Sequence, residues 1–247
     1  MPHERPPPTD VPLNAKAAAR DTTRRKLLET GFGLVREKGY AATRVDDICA
    51  AAGVTKGAFF HHFPTKEAWG EAVAEHWSEV TGQMFATAPY HAFADPLDRV
   101  LAYLDFRYDL LGGRASEYSC VAGTLVQEVH AACPAIQAAA GRAILDHAAT
   151  LVADLAAARA ARCPDADFSP EGVARFTQAV LQGAFILAKS TGDAQVARDT
   201  VRHLRRHVEL LFGIPADSGG LVGTRRARSP DPSSAPSAAG PTSGDTP

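Results

Sequence analysis

The sequence predicts an all-α protein of nine helices. Apolar residues recur at three-and-four spacing, Ala and Leu are abundant, and the period-two alternation of β-branched residues that marks strands is missing. With 247 residues and 45% hydrophobic content the chain can bury a sizeable core. No stretch approaches the ~20 uninterrupted apolar residues of a membrane helix; the most apolar run, residues 179–188, is short and carries Gln182. The first residues hold no apolar signal core, so the expected location is the cytoplasm, with no membrane partner.

Both ends read as disordered tails. Residues 1–19 begin with a proline-rich stretch, and residues 215–247 hold six Pro, five Gly and six Ser with almost nothing large and apolar. Arg225, Arg226 and Arg228 in the second tail read as a short solvated charge cluster.

Between the tails each helix has a local reason. The first runs from about Arg20 to Lys38, with Leu27, Leu28, Phe32 and Val35 on one side and Gly39 as its stop. Thr43 is placed to cap the second, with Asp46 three residues on, and that helix ends near Ala52. Gly53 turns the chain, and a third short helix from about Thr55 is stopped at Phe63 by Pro64. Thr65 caps a fourth that carries Trp69, Val73, Trp77 and Val80. Five more are expected at about 96–112, 119–131, 134–162, 170–190 and 194–212. Residues 20–64 form one domain on this reading and residues 65–214 a second.

Charge is unevenly spread. Residues 20–66 hold nine Lys/Arg against five acids, a net of +4, which leaves −6 on the remainder of a chain whose total is −2. A basic module on an acidic body fits a polyanion met by one end of the molecule. The four cysteines, at 49, 120, 133 and 163, form no CxxC pair and read as reduced thiols without a metal. No Gly-rich phosphate loop, GxSxG or HExxH is present, so neither an enzyme nor a cofactor is expected.

The helix, Gly-containing turn and second short helix is the layout that presents a recognition helix to the DNA major groove. Its wording is Gly39-Tyr40-Ala41-Ala42-Thr43-Arg44-Val45-Asp46-Asp47-Ile48, then Ala52-Gly53-Val54-Thr55-Lys56-Gly57-Ala58-Phe59-Phe60-His61-His62-Phe63, then Thr65-Lys66-Glu67-Ala68. This closely resembles the N-terminal signature of the TetR family, which implies a nine-helix regulator with a helix-turn-helix reader and a helical body that binds an effector and dimerises. Ile48, Val45, Phe59 and Phe63 are expected inside the module, which leaves Thr55, Lys56, Gly57, Phe60, His61 and His62 near DNA, with Arg44 beside them. The resemblance assigns phosphate contacts to Thr43, His62 and Lys66. Phe60 departs from it: many members place Tyr there, and phenylalanine has no hydroxyl to donate.

Such readers pair to span two half-sites about one turn, ~34 Å, apart. The stripes Phe176, Val180, Gly183, Leu187 and Val201, Leu204, Val208, Leu211 are the candidate dimer surface, to form a four-helix bundle between subunits. The alternative is that both stripes face their own subunit's core. Trp77, Tyr103, Phe106, Gln127, His130, His147 and Phe185 are candidates for an apolar effector pocket, against plain core packing. The segments 119–128 and 183–189 resemble those of the NemR branch of the family. On that resemblance Cys120, at a predicted helix start, is a candidate electrophile-sensing thiol with Lys189 as its cation, although a lone cysteine in a helical body is usually a small buried hydrophobe. The expected function is a repressor released from a pseudopalindromic operator by a small molecule or electrophile. The alternatives are a metal-responsive regulator using His130, Cys133 and His147, or a constitutive DNA-binding protein.

Overall fold

In the computed structural model, residues 13–215 are described; the prolines before residue 13 and the tail with its three arginines lie outside them. Among the described residues the regular structure is helical, with no strand. In chain order the helices are α1 (Leu13–Lys38), α2 (Val45–Ala52), α3 (Lys56–His62), α4 (Lys66–Ala86), α5 (Pro96–Asp109), α6 (Ala115–Tyr118), α7 (Val121–Val129), α8 (Pro134–Ala149), α9 (Val152–Arg162), α10 (Pro170–Thr191) and α11 (Ala194–Leu211), with a single 3-10 turn at Pro89–Ala92.

Three differences from the sequence reading have local causes. Residues 13–19, expected in the N-terminal tail, extend α1, because this stretch holds four Ala with Leu13 and Lys16, all good helix formers. The helix expected over 134–162 is broken into α8 and α9. At the break the Thr150 hydroxyl and N–H both turn to the carbonyl of His147, 2.7 and 3.3 Å away, which tightens the turn and ends the regular ladder. The helix expected over 119–131 starts instead at Val121, preceded by the one-turn α6.

The apolar faces form two cores. The first holds Leu27, Leu28, Val35, Ile48, Phe59, Phe63, Trp69 and Val73, and continues without interruption into Val121, Leu125 and Ile136 of α7 and α8. The chain boundary at residue 64 is therefore not a boundary of packing: α4, α7 and the start of α8 share the core of the reading module. The second core lies among α5, α9, α10 and α11 around Tyr103, Leu155, Leu181 and Val201. Cys120 packs against both.

Candidate nucleic-acid interface and effector cavity

Gly53 closes α2 in the left-handed conformation, φ +66°, where a side chain would be strained. Two residues on, the Thr55 hydroxyl accepts the Ala58 N–H at 3.2 Å and starts α3. Phe59 and Phe63 are buried beneath that helix, and Ile48 beneath α2. Lys56, Gly57, Phe60 and His61 remain on the outer face of α3, exposed. Space beside Gly57 is open, with only the Thr55 hydroxyl within 4 Å of a hypothetical Cβ, so a base edge or sugar can come close. Phe60 leaves half its surface in water, so its ring is open to a partner from the outer face of α3.

The cations are held in place before any DNA arrives. Lys56 pairs with Asp46 at 2.8 Å on the open surface, an arrangement a phosphate or base can replace at little cost. Lys66 donates to the carbonyl of Ala41 at 3.3 Å and lies 4.3 Å from the centre of the Tyr40 ring, so it sits at the turn before α2. Burial lowers its pKa below the ordinary lysine value. Arg44 is the exposed residue at the start of α2, and its N–H is accepted by Asp47 at 2.8 Å.

Thr43 does not reach this surface. It is fully buried, and its hydroxyl donates to the carbonyl of Gly39 at 2.6 Å, so it neither caps α2 nor is available to a phosphate. The cap moves one residue to Arg44, and the reciprocal carboxylate is Asp47 rather than Asp46. Conversely, sequence reasoning missed Arg20 and Arg24. Both lie close enough to His62 for their charges, after burial and the neighbouring His61, to lower its pKa, and Arg24 lies 5.5 Å from the Phe63 ring. Their i, i+4 spacing on α1 was the available signal.

A cavity opens between α4, α5, α8 and α10. Of the candidate pocket residues, Trp77, Cys120, His147 and Phe185 line it. Tyr103 lies fully buried behind it, accepting from Gln178 at 3.4 Å and bonded to His147 Nε2 at 3.0 Å. Burial holds His147 down at about 4, with Arg107 adding to the effect, so its ring is neutral and Nε2 can accept the tyrosine proton. Phe106 packs edge-on against Phe85, whose face completes the wall. Gln127 and Lys189 line a second, adjoining cleft that shares Cys120 and Phe185 with the first. His130 is exposed past the end of α7 and joins neither, which removes it from the pocket. Among the described residues no three His, Cys, Asp or Glu side chains gather to hold a metal.

Cys120 is the residue before α7, and its sulfur accepts the Gly123 N–H at 3.2 Å. Lys189 donates to Thr124 at 3.2 Å, one turn further along the same helix. The other end of α7 reaches the reading module, where the Glu128 carboxylate accepts the Ala41 N–H at 2.8 Å. Gly39 beside it has φ +84°, and a Cβ there would collide with that carboxylate. A second tie runs from Arg36 of α1, which donates to the carbonyls of Glu117 at 2.6 Å and Ser116 at 3.4 Å and lies over the Trp77 ring.

The two stripes assigned to the dimer surface separate. On α10, Phe176 and Leu187 are exposed, Val180 and Gly183 are half-buried, and nothing lies within 4 Å of a Cβ built at Gly183. On α11, Val201, Leu204 and Val208 are buried in their own subunit, and Leu211 is half-buried against the same core. Of the exposed α11 residues His203, His207 and Leu210, His207 stands beside the α10 stripe, its ring 5.0 Å from that of Phe176.

Comparison with known proteins agrees with this geometry. Residues 27–73 match the family described as bacterial regulatory proteins, tetR family, and residues 96–204 match the tetracyclin repressor-like C-terminal domain. The HTH-type transcriptional repressor DhaR of Mycobacterium sp. (strain GP1) is 32% identical over 111 residues, 45% of this chain and 54% of that protein. The HTH-type transcriptional repressor NemR of Escherichia coli (strain K12) is 33% identical over 81 residues, 33% of this chain and 41% of NemR. The chain thus spans about half the length of these curated relatives. Among solved structures, the regulatory protein TetR from Rhodobacter sphaeroides superposes with a TM-score of 0.67 at 25% identity, covering 75% of this chain and 98% of that one. Both segments of the fold, the reading module and the helical body, match the same kind of regulator, and the chain belongs to the tetR family of bacterial regulatory proteins.

Proposed function

We propose that this protein is a homodimeric transcriptional repressor that holds a pseudopalindromic operator through two copies of α3 and lets go when its cavity receives an effector or Cys120 is modified. The observation that carries this reading is the position of α7, which begins at the cavity with Cys120 and ends on the reading module with the Glu128–Ala41 hydrogen bond. A change at one end of a nine-residue helix moves the other, because packed helices shift as rigid units. The shared core beneath α7 gives the movement a path to α1 and α4.

On this reading Arg44, Thr55, Lys56, Gly57, Phe60, His61, His62 and Lys66 meet DNA, joined by Arg20 and Arg24. Two such heads pair through the exposed α10 stripe and His203, His207 and Leu210 of α11. Electrophile sensing by Cys120 draws on its place at the seam of both cores and at the wall of the cavity, where bulk added to sulfur must push on packed neighbours. The test is release of operator DNA by methylglyoxal, a quinone or hypochlorite in the wild type and in Cys120→Ser. Release confined to the wild type supports the thiol. Equal release of both removes Cys120 from the mechanism and leaves a reversible ligand as the effector.

A further inference from the structure

The cavity contains a charge that an apolar effector does not need. Arg107, on α5, lines it, and among the described residues the guanidinium has no carboxylate partner: its neighbours are the faces of Phe85, 5.1 Å away, and Phe185, 5.9 Å away. No Asp or Glu lines the cavity. Elsewhere in the body Arg99 pairs with Asp154, Arg162 with Asp95 and Arg205 with Asp105 and Glu209, while Arg159 and Arg198 donate to backbone carbonyls. Arg107 lines the cavity with neither kind of partner among the described residues.

The remaining polar groups suit the same ligand end. Tyr118 lines the cavity, and its hydroxyl is buried without a hydrogen-bond partner. Gln182 presents a side-chain amide. His147 is spoken for by Tyr103 and stays neutral, so it brings no second positive charge. The Thr81 hydroxyl is taken by the carbonyl of Trp77 and the Gln178 amide by Tyr103, and most of the remaining wall is hydrocarbon, including Trp77, Met84, Leu110, Leu111, Ile144 and Phe185.

We propose that the cavity binds an apolar monocarboxylate, its carboxylate on the Arg107 guanidinium with Tyr118 and Gln182 as further donors, and its hydrocarbon part against Trp77 and Ile144. The planar guanidinium fork matches a carboxylate with two parallel hydrogen bonds, and a low-dielectric wall strengthens the pair. One unopposed cation selects one negative charge; a dianion would leave the second buried and unpaired. The ligand class rests on reading this cavity as the effector site.

The experiment is calorimetric titration of the full chain with octanoate against octanol and phenylbutyrate against phenylbutanol, in the wild type, Arg107→Gln and Arg107→Lys. The acids are expected to bind the wild type about tenfold or more tighter than the matched alcohols. Arg107→Gln should erase that preference while leaving alcohol affinity nearly unchanged, and Arg107→Lys should keep part of it. Unchanged thermal unfolding of the variants shows that the fold persists. Acids that bind no better than alcohols, acids and alcohols that both fail to bind, or an acid preference that survives Arg107→Gln overturn the proposal. Operator release is measured separately. An acid that binds through Arg107 yet leaves the operator occupied refutes the effector reading and leaves the ligand class standing.

Discussion

The Glu128 carboxylate, at the end of α7, accepts the backbone N–H of Ala41 at 2.8 Å, in the turn that positions the first helix of the helix-turn-helix pair. A hydrogen bond from a backbone donor to a charged acceptor contributes roughly 1.5–3 kcal/mol when shielded and less when exposed, as here. Its position gives it more influence than its strength: Lys66 holds the carbonyl of the same residue, so both polar groups of Ala41 are fixed from outside the turn. Glu128→Ala should therefore lower operator affinity by roughly three- to tenfold and blunt release by effector, with little loss of stability. Fluorescence anisotropy of labelled operator, with and without effector, checks both. Unchanged release in the variant places the transmission elsewhere, with the Arg36 tie to Glu117 as the remaining route.

Lys56 and Lys66 should behave differently. Lys56→Ala is expected to relax discrimination among operator variants, because it stands at the start of α3 on the open face, whereas Lys66→Ala should weaken all sequences alike. Lys66→Ala should also reduce the slope of log affinity against log salt by about two, one phosphate contact from each subunit. Competition binding with single-base operator variants separates the two roles.

Affinity for operator should fall ~10³- to 10⁵-fold between about 50 and 200 mM salt if the dimer neutralises roughly six to ten phosphates. Titrations at four salt concentrations give the slope. A flat response contradicts the assignment of the basic face.

The two apolar stripes predict opposite phenotypes. Leu187→Glu combined with Phe176→Glu puts carboxylates on an exposed face and should yield folded monomers by sedimentation. Leu204→Ala, in the subunit's own core, should cost about 2–5 kcal/mol of stability. A folded Leu187/Phe176 double variant that still sediments as a dimer moves the interface off α10.

His147 makes stability depend on pH. Its folded-state pKa is depressed to about 4, whereas the unfolded chain titrates near the ordinary value of about 6.5. Between these the unfolded state binds more protons, so the contribution is fully present above about pH 6.5 and is lost as pH falls towards 4. The loss is on the order of 2–3 kcal/mol. Urea unfolding at neutral and acid pH should show this excess loss in the wild type and its absence in His147→Gln.

What the sequence disclosed depended on whether a signal was local. Gly53, Thr55 and Pro64 write the limits of α3 into the chain, and Phe59 and Phe63 follow from its register, so the reading helix was legible. Thr43 was not. Its hydroxyl had two carbonyl or amide partners within reach, and burial against the α1–α2 turn, a tertiary fact, gave it to Gly39. The α11 stripe failed for a related reason: periodicity shows that Val201, Leu204 and Val208 face something apolar, without saying whether it is the same subunit or another. Arg107 drew no notice because one arginine among many has no pattern; its place in the cavity wall, a tertiary fact, distinguishes it.

Sequence-specific reading of DNA by a dimer is the proposal on which the others depend. Its most direct test is selection of genomic fragments by the purified protein, followed by sequencing and footprinting of those retained. The expected result is an enriched pseudopalindrome whose half-sites lie about one helical turn, ~34 Å, apart, protected on one face and lost on Phe60→Ala, Lys56→Ala or disruption of the α10 surface. Retention without an enriched sequence, or a single half-site bound as tightly as the pair, would contradict it.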